Sequence, residues 1–183
     1  MPFQSPPQLK ASLFSATPGG KPKGGAKPAP KASGPKGVAI EHRIGVQAPA
    51  EVVWEILYDL EGWSDWNPTY PRASGTIRIG APLSLTLALP EQPPEEIQPT
   101  VLEWVPHEQL HWSLRAMGGL VRTTRYIEIE TLAEASCLIA NGEIIGGLLG
   151  RRYARARGRA MHRAFQAMNE ALKARAEAAF AGR

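Results

Sequence analysis

The feature that most constrains the fold is a two-residue alternation in the middle of the chain. In the segment PLSLTLALP, smaller residues separate four leucines, namely Leu83, Leu85, Leu87 and Leu89. A period of two places alternate side chains on one face of a β-strand. We therefore expect a sheet with one apolar face, and we expect Leu85 and Leu87 to line its buried side.

Further segments of strand character lie on both sides of this one, separated by turn residues. They are VAIEHRIGV, GTIRIG, IQPTVLEWVP, QLHWSLRAM, LVRTTRYIEIETL and SCLIANGEII. The connections between them are short, which favours antiparallel pairing over parallel crossovers. The chain thus predicts six or seven antiparallel strands that must cover one apolar face.

Helical patterns stand near the start and at the end of the folded part. Two short helices are predicted after the first strand, in AEVVWEILYDL and GWSDWNP, and one long helix over residues 148–180. The long helix carries an apolar stripe that includes Phe165 and Met168. It is the only predicted element long enough to cover the sheet. The fold class is therefore α+β, a helix-grip in which a curved antiparallel sheet wraps around a long C-terminal helix.

Charge is distributed unevenly along the chain. Residues 1–37 contain six lysines, eight prolines and no acidic residue. Such a segment cannot bury enough apolar surface to offset its ordering entropy, so we predict a disordered basic tail followed by one domain over residues 38–183. The tail is either a solvated leader or a binder of an anionic surface or a partner protein.

A second basic run predicts either a solvated helix face or a site for an anionic partner. It contains six arginines and no acidic residue, with Arg151, Arg152, Arg155, Arg157, Arg159 and Arg163 on the terminal helix. No specific nucleic-acid motif accompanies it.

Several classes of function are not expected. Cys137 is the only cysteine, so neither an internal disulfide nor a cysteine-clustered metal site can form. His107 and His111 are four apart, but Pro106 argues against a helix that would bring them together. We expect no metal and no cofactor, and neither a transmembrane segment nor a signal peptide, hence a soluble cytoplasmic protein.

The segment IGVQAPAEVVWEILYDLEGWSDWNP contains a recognisable set of residues. The set comprises Ala48-Pro49, Val53-Trp54, Asp59 and Trp66-Asn67-Pro68, followed far downstream by Gly146-Gly147. In this pattern the chain resembles the SRPBCC superfamily, with its START-like and birch-pollen-allergen-like helix-grip fold, and particularly its polyketide cyclase/dehydrase-like branch. The resemblance implies a deep pocket for hydrophobic small molecules such as lipids or polyketides.

The chain departs from the family pattern near the end of the last strand. Many relatives have an acidic residue two positions before the apolar residue that closes this strand, whereas here Gly142 precedes Ile144. We therefore expect no chemistry that depends on that carboxylate.

Strand periodicity selects the residues that face the cavity. In LVRTTRYIEIETL, Thr123, Arg125 and Ile127 share one face, and the same rule turns His42 and Trp112 inward. The predicted lining is His42, Leu85, Leu87, Trp112, Thr123, Arg125, Ile127, Ile144, Phe165 and Met168.

Two of these residues are candidates for chemistry. An inward arginine is costly unless it is paired or binds an anionic or carbonyl group, so Arg125 is the main polar candidate. His42 is either a hydrogen-bonded core residue or a proton shuttle.

Three functions remain open from the sequence. The first is noncatalytic binding of a hydrophobic or amphipathic small molecule that Arg125 orients. The second is a polyketide cyclase/dehydratase-type reaction, in which His42 moves protons and Arg125 stabilises an enolate. The third is an interaction or membrane-surface protein that uses the basic tail and the arginine-rich helix.

Overall fold

The computed structural model of the protein describes residues 37–182. Its strands are β1 (Val38–Val46), β2 (Arg72–Gly75), β3 (Leu83–Leu87), β4 (Glu95–Ile97), β5 (Thr100–Val105), β6 (Gln109–Ala116), β7 (Val121–Ala133) and β8 (Ser136–Gly146). Its α-helices are α1 (Ala50–Tyr58) and α2 (Gly150–Ala181), and 3-10 helices cover Glu61–Asp65 and Met117–Gly119. The predicted disordered tail, apart from residue 37, lies outside the described residues.

The strands form an antiparallel sheet in two parts. Five strands pair in the order β1-β8-β7-β6-β5, and three pair in the order β2-β3-β4. The parts meet where the Leu83 amide donates to the Pro99 carbonyl oxygen at 2.9 Å, beside a bridge between Pro82 and Thr100. The α+β helix-grip prediction is confirmed.

Residues 37–182 form eight strands, whereas six or seven were predicted. The segment GTIRIG is not a strand, because β2 precedes it and ends at Gly75. Gly75 has a φ of 130°, a left-handed conformation that suits glycine and takes the chain out of the strand. The short strand β4 adds a further element before β5.

The long helix packs its predicted apolar stripe on the concave side of the sheet. Phe165, Met168 and Leu172 are completely buried. A Cβ atom at Gly158 would lie 3.2 Å from Ile40 Cδ1, so the absence of a side chain there permits close packing of α2 on β1. The described part of the chain contains no helix that is both long and apolar enough to cross a membrane.

The early helices close one end of the domain. Trp63 is fully buried, and its indole N–H donates to the Leu57 carbonyl oxygen at 3.1 Å. Cys137 is also buried, and burial raises the pKa of its thiol to about 11. Both residues therefore serve packing.

Candidate functional site

A polar pair occupies the centre of the concave face of the sheet. Arg125 on β7 stands directly opposite Glu143 on β8, and on its other side it faces Trp112 on β6. Ile40 on β1 stands opposite Glu143 and continues the row. Adjacent antiparallel strands bring such opposed side chains into contact. We call Arg125, Glu143 and the neighbouring Thr123 the arginine–glutamate cluster.

The Arg125 guanidinium is enclosed by aromatic rings. It lies 3.6 Å from the centroid of the Phe165 ring, 5.5 Å from that of Tyr70 and 5.9 Å from that of Trp112. Arg125 is only 2% exposed, yet none of its three guanidinium nitrogens has a hydrogen-bond partner among the described residues. Cation–π contacts offset part of the desolvation cost, but the donors themselves remain unsatisfied.

Glu143 is almost as deeply buried as its partner. Burial raises the pKa of its carboxyl above the ordinary value, although Arg125 and a hydrogen bond with the Thr123 side chain act to lower it. Its Oε2 atom has no hydrogen-bond partner among the described residues. Burial likewise lowers the pKa of Arg125. The pair therefore combines several donors with an acid that holds its proton more tightly than usual.

The Trp-Asn-Pro motif positions one wall of this site. The Oδ1 atom of Asn67 accepts hydrogen bonds from the backbone amides of Thr69 and Tyr70, each at 3.0 Å. The Thr69 hydroxyl donates to the Ala164 carbonyl oxygen on α2 at 2.7 Å. This side-chain-stabilised turn ties the loop to α2 and places the Tyr70 ring beside Arg125. Burial raises the pKa of Tyr70.

The prediction for the last strand is wrong by one residue. Cys137, Ile139, Glu143 and Ile145 are buried on the concave side, whereas Ile144 has the opposite parity and lies on the outer face of the sheet. The inward acidic residue that the sequence was expected to lack is therefore present as Glu143, two positions before Ile145. Gly142, on the outer face, lies under the Tyr126 ring, which a Cβ atom there would overlap.

His42 lies in a second polar group, which we call the histidine–asparagine cluster. The Nδ2 atom of Asn169 donates to both the Nδ1 atom and the carbonyl oxygen of His42, each at 3.0 Å. Asn141 Nδ2 donates to Asn169 Oδ1 at 3.0 Å. His42 thus links β1 to α2, and the strand β8 separates it from Arg125. Burial is the largest of the causes that lower its pKa.

The other predicted lining residues are buried on the concave side. They are Leu85, Leu87, Trp112, Thr123, Ile127, Phe165 and Met168, none more than 6% exposed. Of these, Trp112, Thr123 and Phe165 lie at the arginine–glutamate cluster. Periodicity overlooked Tyr70 and Glu143, the first because it lies in a loop and the second because of the error in parity.

A concavity of about 320 Å³ opens near the start of α2. Its lining consists of Met117, Leu149, Arg152, Tyr153 and Ala156. Burial is the largest of the causes that raise the pKa of Tyr153. Within residues 37–182, no group of three or more histidine, cysteine or acidic side chains is arranged to hold a metal ion.

Comparisons with solved structures support the fold. The chain superposes on the Zhui aromatase/cyclase of Streptomyces sp. R1128 with a TM-score of 0.63 at 17% identity, over 76% of this chain and 93% of that one. A START superfamily protein from Mycobacterium smegmatis gives 0.59 at 18% identity, over 77% and 98%. The norcoclaurine synthase of Thalictrum flavum, solved as a point mutant, gives 0.57 at 16% identity, over 76% and 93%.

Sequence comparison identifies the family. No curated protein sequence matches the chain. The model of one family, described as "Polyketide cyclase / dehydrase and lipid transport", matches residues 37–177, which is most of the chain. Together with the helix-grip fold, this match shows that the chain belongs to the polyketide cyclase/dehydrase and lipid transport family, within the START-like SRPBCC superfamily.

Proposed function

We propose that this protein binds an amphipathic small molecule whose apolar body lies between the sheet and α2 and whose oxygen-bearing head group binds Arg125. The observation that carries this proposal is the set of three buried guanidinium nitrogens without hydrogen-bond partners. A carboxylate, phosphate or polarised carbonyl oxygen would satisfy donors that the described residues leave unsatisfied. The family, which includes lipid-transport and cyclase proteins, fits a ligand of this class.

The surroundings of Arg125 favour a largely apolar ligand. The walls are aromatic and aliphatic, and a few polar groups converge on one point, as is usual in small-molecule sites. Phe165 lies on the guanidinium and Arg125 is nearly inaccessible. Binding therefore requires the Phe165 ring to move aside, and the proposed entrance is the concavity at Tyr153.

A pair of probes that differ only in the head group tests this function. We would measure binding of a fluorescent fatty acid and of the matching fatty alcohol to the wild type. The acid should bind about tenfold more tightly, because a charge-assisted hydrogen bond is worth about 1.5 kcal/mol or more. Arg125→Met should abolish this preference.

Arg122→Met is the matched control, since Arg122 lies on the same strand but on the exposed face. It should leave the preference for the acid intact. Equal binding of acid and alcohol to the wild type, or an unchanged preference in Arg125→Met, would contradict the proposed role of Arg125.

A second function, a cyclase/dehydratase-type reaction, is favoured by one observation. Glu143 has a raised pKa and stands directly opposite Arg125. A carboxyl group whose pKa is raised holds its proton more tightly than usual and can donate it to a substrate whose enolate Arg125 stabilises. In this proposal Glu143 takes the role that the sequence suggested for His42, which Asn169 holds in the other cluster.

Glu143→Gln separates the two functions, because glutamine keeps the shape of the side chain but cannot transfer a proton. With a linear poly-β-keto thioester as substrate, an enzyme should lose about 10²-fold or more in rate while its affinity changes little. A binding protein should show no turnover in either form and similar affinities for the fluorescent fatty acid.

A third role, at an anionic surface, is proposed from the basic segments. The part assigned to residues 1–37 lies almost entirely outside the described residues. On α2, Arg157 and Arg163 pair with Glu95 at 3.0 Å and Glu91 at 3.4 Å. The arginines nearer the start of the helix have no such pairing among the described residues.

A further inference from the structure

Two adjacent loops at one end of the domain expose large apolar side chains. One loop joins β6 to β7 and the other joins β8 to α2, and the Leu149 amide donates to the Leu120 carbonyl oxygen at 3.1 Å. Leu148 is 84% exposed, Met117 57% and Leu120 45%. We call Met117, Leu120 and Leu148 the apolar tip.

The backbone holds the apolar tip in its outward position. Met117 has a φ of 52°, and Gly118, Gly119 and Gly147 have φ values of 66°, 89° and 93°. Left-handed backbone at a non-glycine residue such as Met117 is energetically unfavourable. Gly147 also packs against the Leu120 carbonyl oxygen, leaving no room for a Cβ atom. The two loops therefore form one local unit.

Positive charge surrounds the tip. The flanking exposed arginines are Arg115, Arg122, Arg151, Arg152 and Arg155. Residues 114–127 and 144–169 contain no acidic residue at all. An exposed apolar patch with a purely cationic border is complementary to a surface that is anionic outside and apolar beneath.

We propose that the apolar tip docks on anionic membranes. Leu148, Met117 and Leu120 enter the boundary between head groups and acyl chains, while the flanking arginines bind lipid phosphates. The concavity beside the tip, lined in part by Met117 and Leu149, then faces the bilayer. Docking itself requires no ligand in the interior, so it stands independently of the proposed ligand-binding and cyclase functions, and it deepens the third role, at an anionic surface.

Vesicle co-sedimentation of the full chain tests the proposal. Vesicles of phosphatidylcholine with phosphatidylserine should bind the wild type, and vesicles of phosphatidylcholine alone should bind it much less. Leu148→Ser should weaken partitioning to the anionic vesicles about tenfold, and the triple change of Met117, Leu120 and Leu148 to serine about a hundredfold. All charges, including those of residues 1–36, are retained in these variants.

Leu132→Ser is the matched control. Leu132 is also an exposed leucine, 58% exposed, but it lies at the opposite end of β7. It should bind anionic vesicles as the wild type does, and circular dichroism should show that all variants remain folded. Arg151→Gln/Arg152→Gln should weaken binding and reduce its dependence on salt.

Three results would overturn the proposal. The first is wild-type binding that is unchanged in the triple serine variant, which would mean that charge alone attracts the protein. The second is equal weakening in Leu132→Ser. The third is no binding to vesicles of either composition, in which case the tip would be a surface for another protein. If Arg125→Met lost its binding of the fatty acid but still bound vesicles, that result would bear only on the proposed interior site and not on membrane docking.

Discussion

The two polar clusters on the concave face differ in how completely they are satisfied. In the histidine–asparagine cluster, Asn169 joins His42 and Asn141 through three hydrogen bonds, and Asn141 Oδ1 is its one buried atom without a partner among residues 37–182. In the arginine–glutamate cluster, three guanidinium nitrogens and one carboxyl oxygen lack partners in the described part of the chain. The first cluster fastens the helix to the sheet. The second leaves buried polar atoms unsatisfied, which costs stability, and in the function proposed above its donors bind the ligand.

The largest expected effect comes from breaking the satisfied cluster. Asn169→Ala removes three hydrogen bonds of a fully buried residue and leaves the Asn141 amide and the Nδ1 atom of His42 without those bonds. We expect the free energy of unfolding to fall by about 3 kcal/mol. Urea denaturation measures it. Gln166→Ala, at an exposed position on the same helix, should change it by less than about 0.5 kcal/mol. Similar stability of the two variants would contradict the structural role of Asn169.

The opposite sign is expected at the other cluster. Arg125→Met with Glu143→Gln replaces two buried titratable side chains, which the described residues leave poorly satisfied, by neutral side chains of similar size. Without ligand, we expect the double variant to be more stable than the wild type by about 1 to 2 kcal/mol. Thermal and urea unfolding would measure this gain. Destabilisation as large as that of Asn169→Ala would show that the two clusters do not differ as described.

The two clusters should also respond oppositely to pH. Burial raises the pKa of Glu143 from an ordinary value of 4.5. The stabilising contribution of the protonated Glu143 is therefore complete below pH 4.5 and is lost as the pH rises through the pKa of Glu143 in the folded protein. Burial lowers the pKa of His42 from 6.5, so its contribution is complete above 6.5 and is lost as the pH falls toward the folded-state pKa.

Single variants separate these two dependences. Relative to Glu143→Gln, the wild type should lose stability as the pH rises above about 4.5. Relative to His42→Asn, it should lose stability as the pH falls below about 6.5. Urea unfolding over a pH series would measure both differences. If either difference had the reverse slope, the corresponding group would not be held in its neutral form by burial.

The smallest effect concerns the packing of α2 between the clusters. Gly158→Ala gains about 1 kcal/mol of helix propensity but brings a Cβ atom to 3.2 Å from Ile40 Cδ1. We expect the two effects nearly to cancel. In an Ile40→Val background, which removes that methyl group, the same change should stabilise by about 0.5 to 1 kcal/mol. Denaturant unfolding of the wild type, the two single variants and the double variant would measure the coupling energy between the two positions. If the two changes in stability were simply additive, the side chains at positions 158 and 40 would not be in contact.

The sequence was sufficient to predict the buried face of those strands in which apolar residues occur at alternate positions only. On β7, Ile127 and Ile129 alternate with Glu128 and Glu130, and this parity, extended backward, predicted the shared face of Thr123, Arg125 and Ile127, all of which are buried. The long apolar stripe of α2 predicted in the same way which face covers the sheet, and both Phe165 and Met168 are fully buried.

The sequence was insufficient for β8, where apolar residues occur at both parities. Ala133 pairs with Ser136, but Thr131 pairs with Cys137, so one extra residue, Leu132, is accommodated on β7. This irregularity shifts the register by one, and Arg125 then faces Glu143 instead of Ile144. A bulge depends on how two strands pair, which the periodicity of either strand alone cannot show.

The hydrogen bonds between α2 and β1 in the described structure all come from residues of the helix from His162 onward. His162 Nδ1 lies 3.1 Å from the Glu41 carbonyl oxygen, Asn169 binds His42, and Lys173 donates to the Gly45 carbonyl oxygen at 2.7 Å. The first two turns, around Tyr153, have no such tie to β1 in the described structure. Transient separation of α2 from the sheet should therefore begin at its N-terminal end. The backbone amides of these turns should exchange with solvent earliest, and the proposed ligand would enter there while the rest of the domain stays folded.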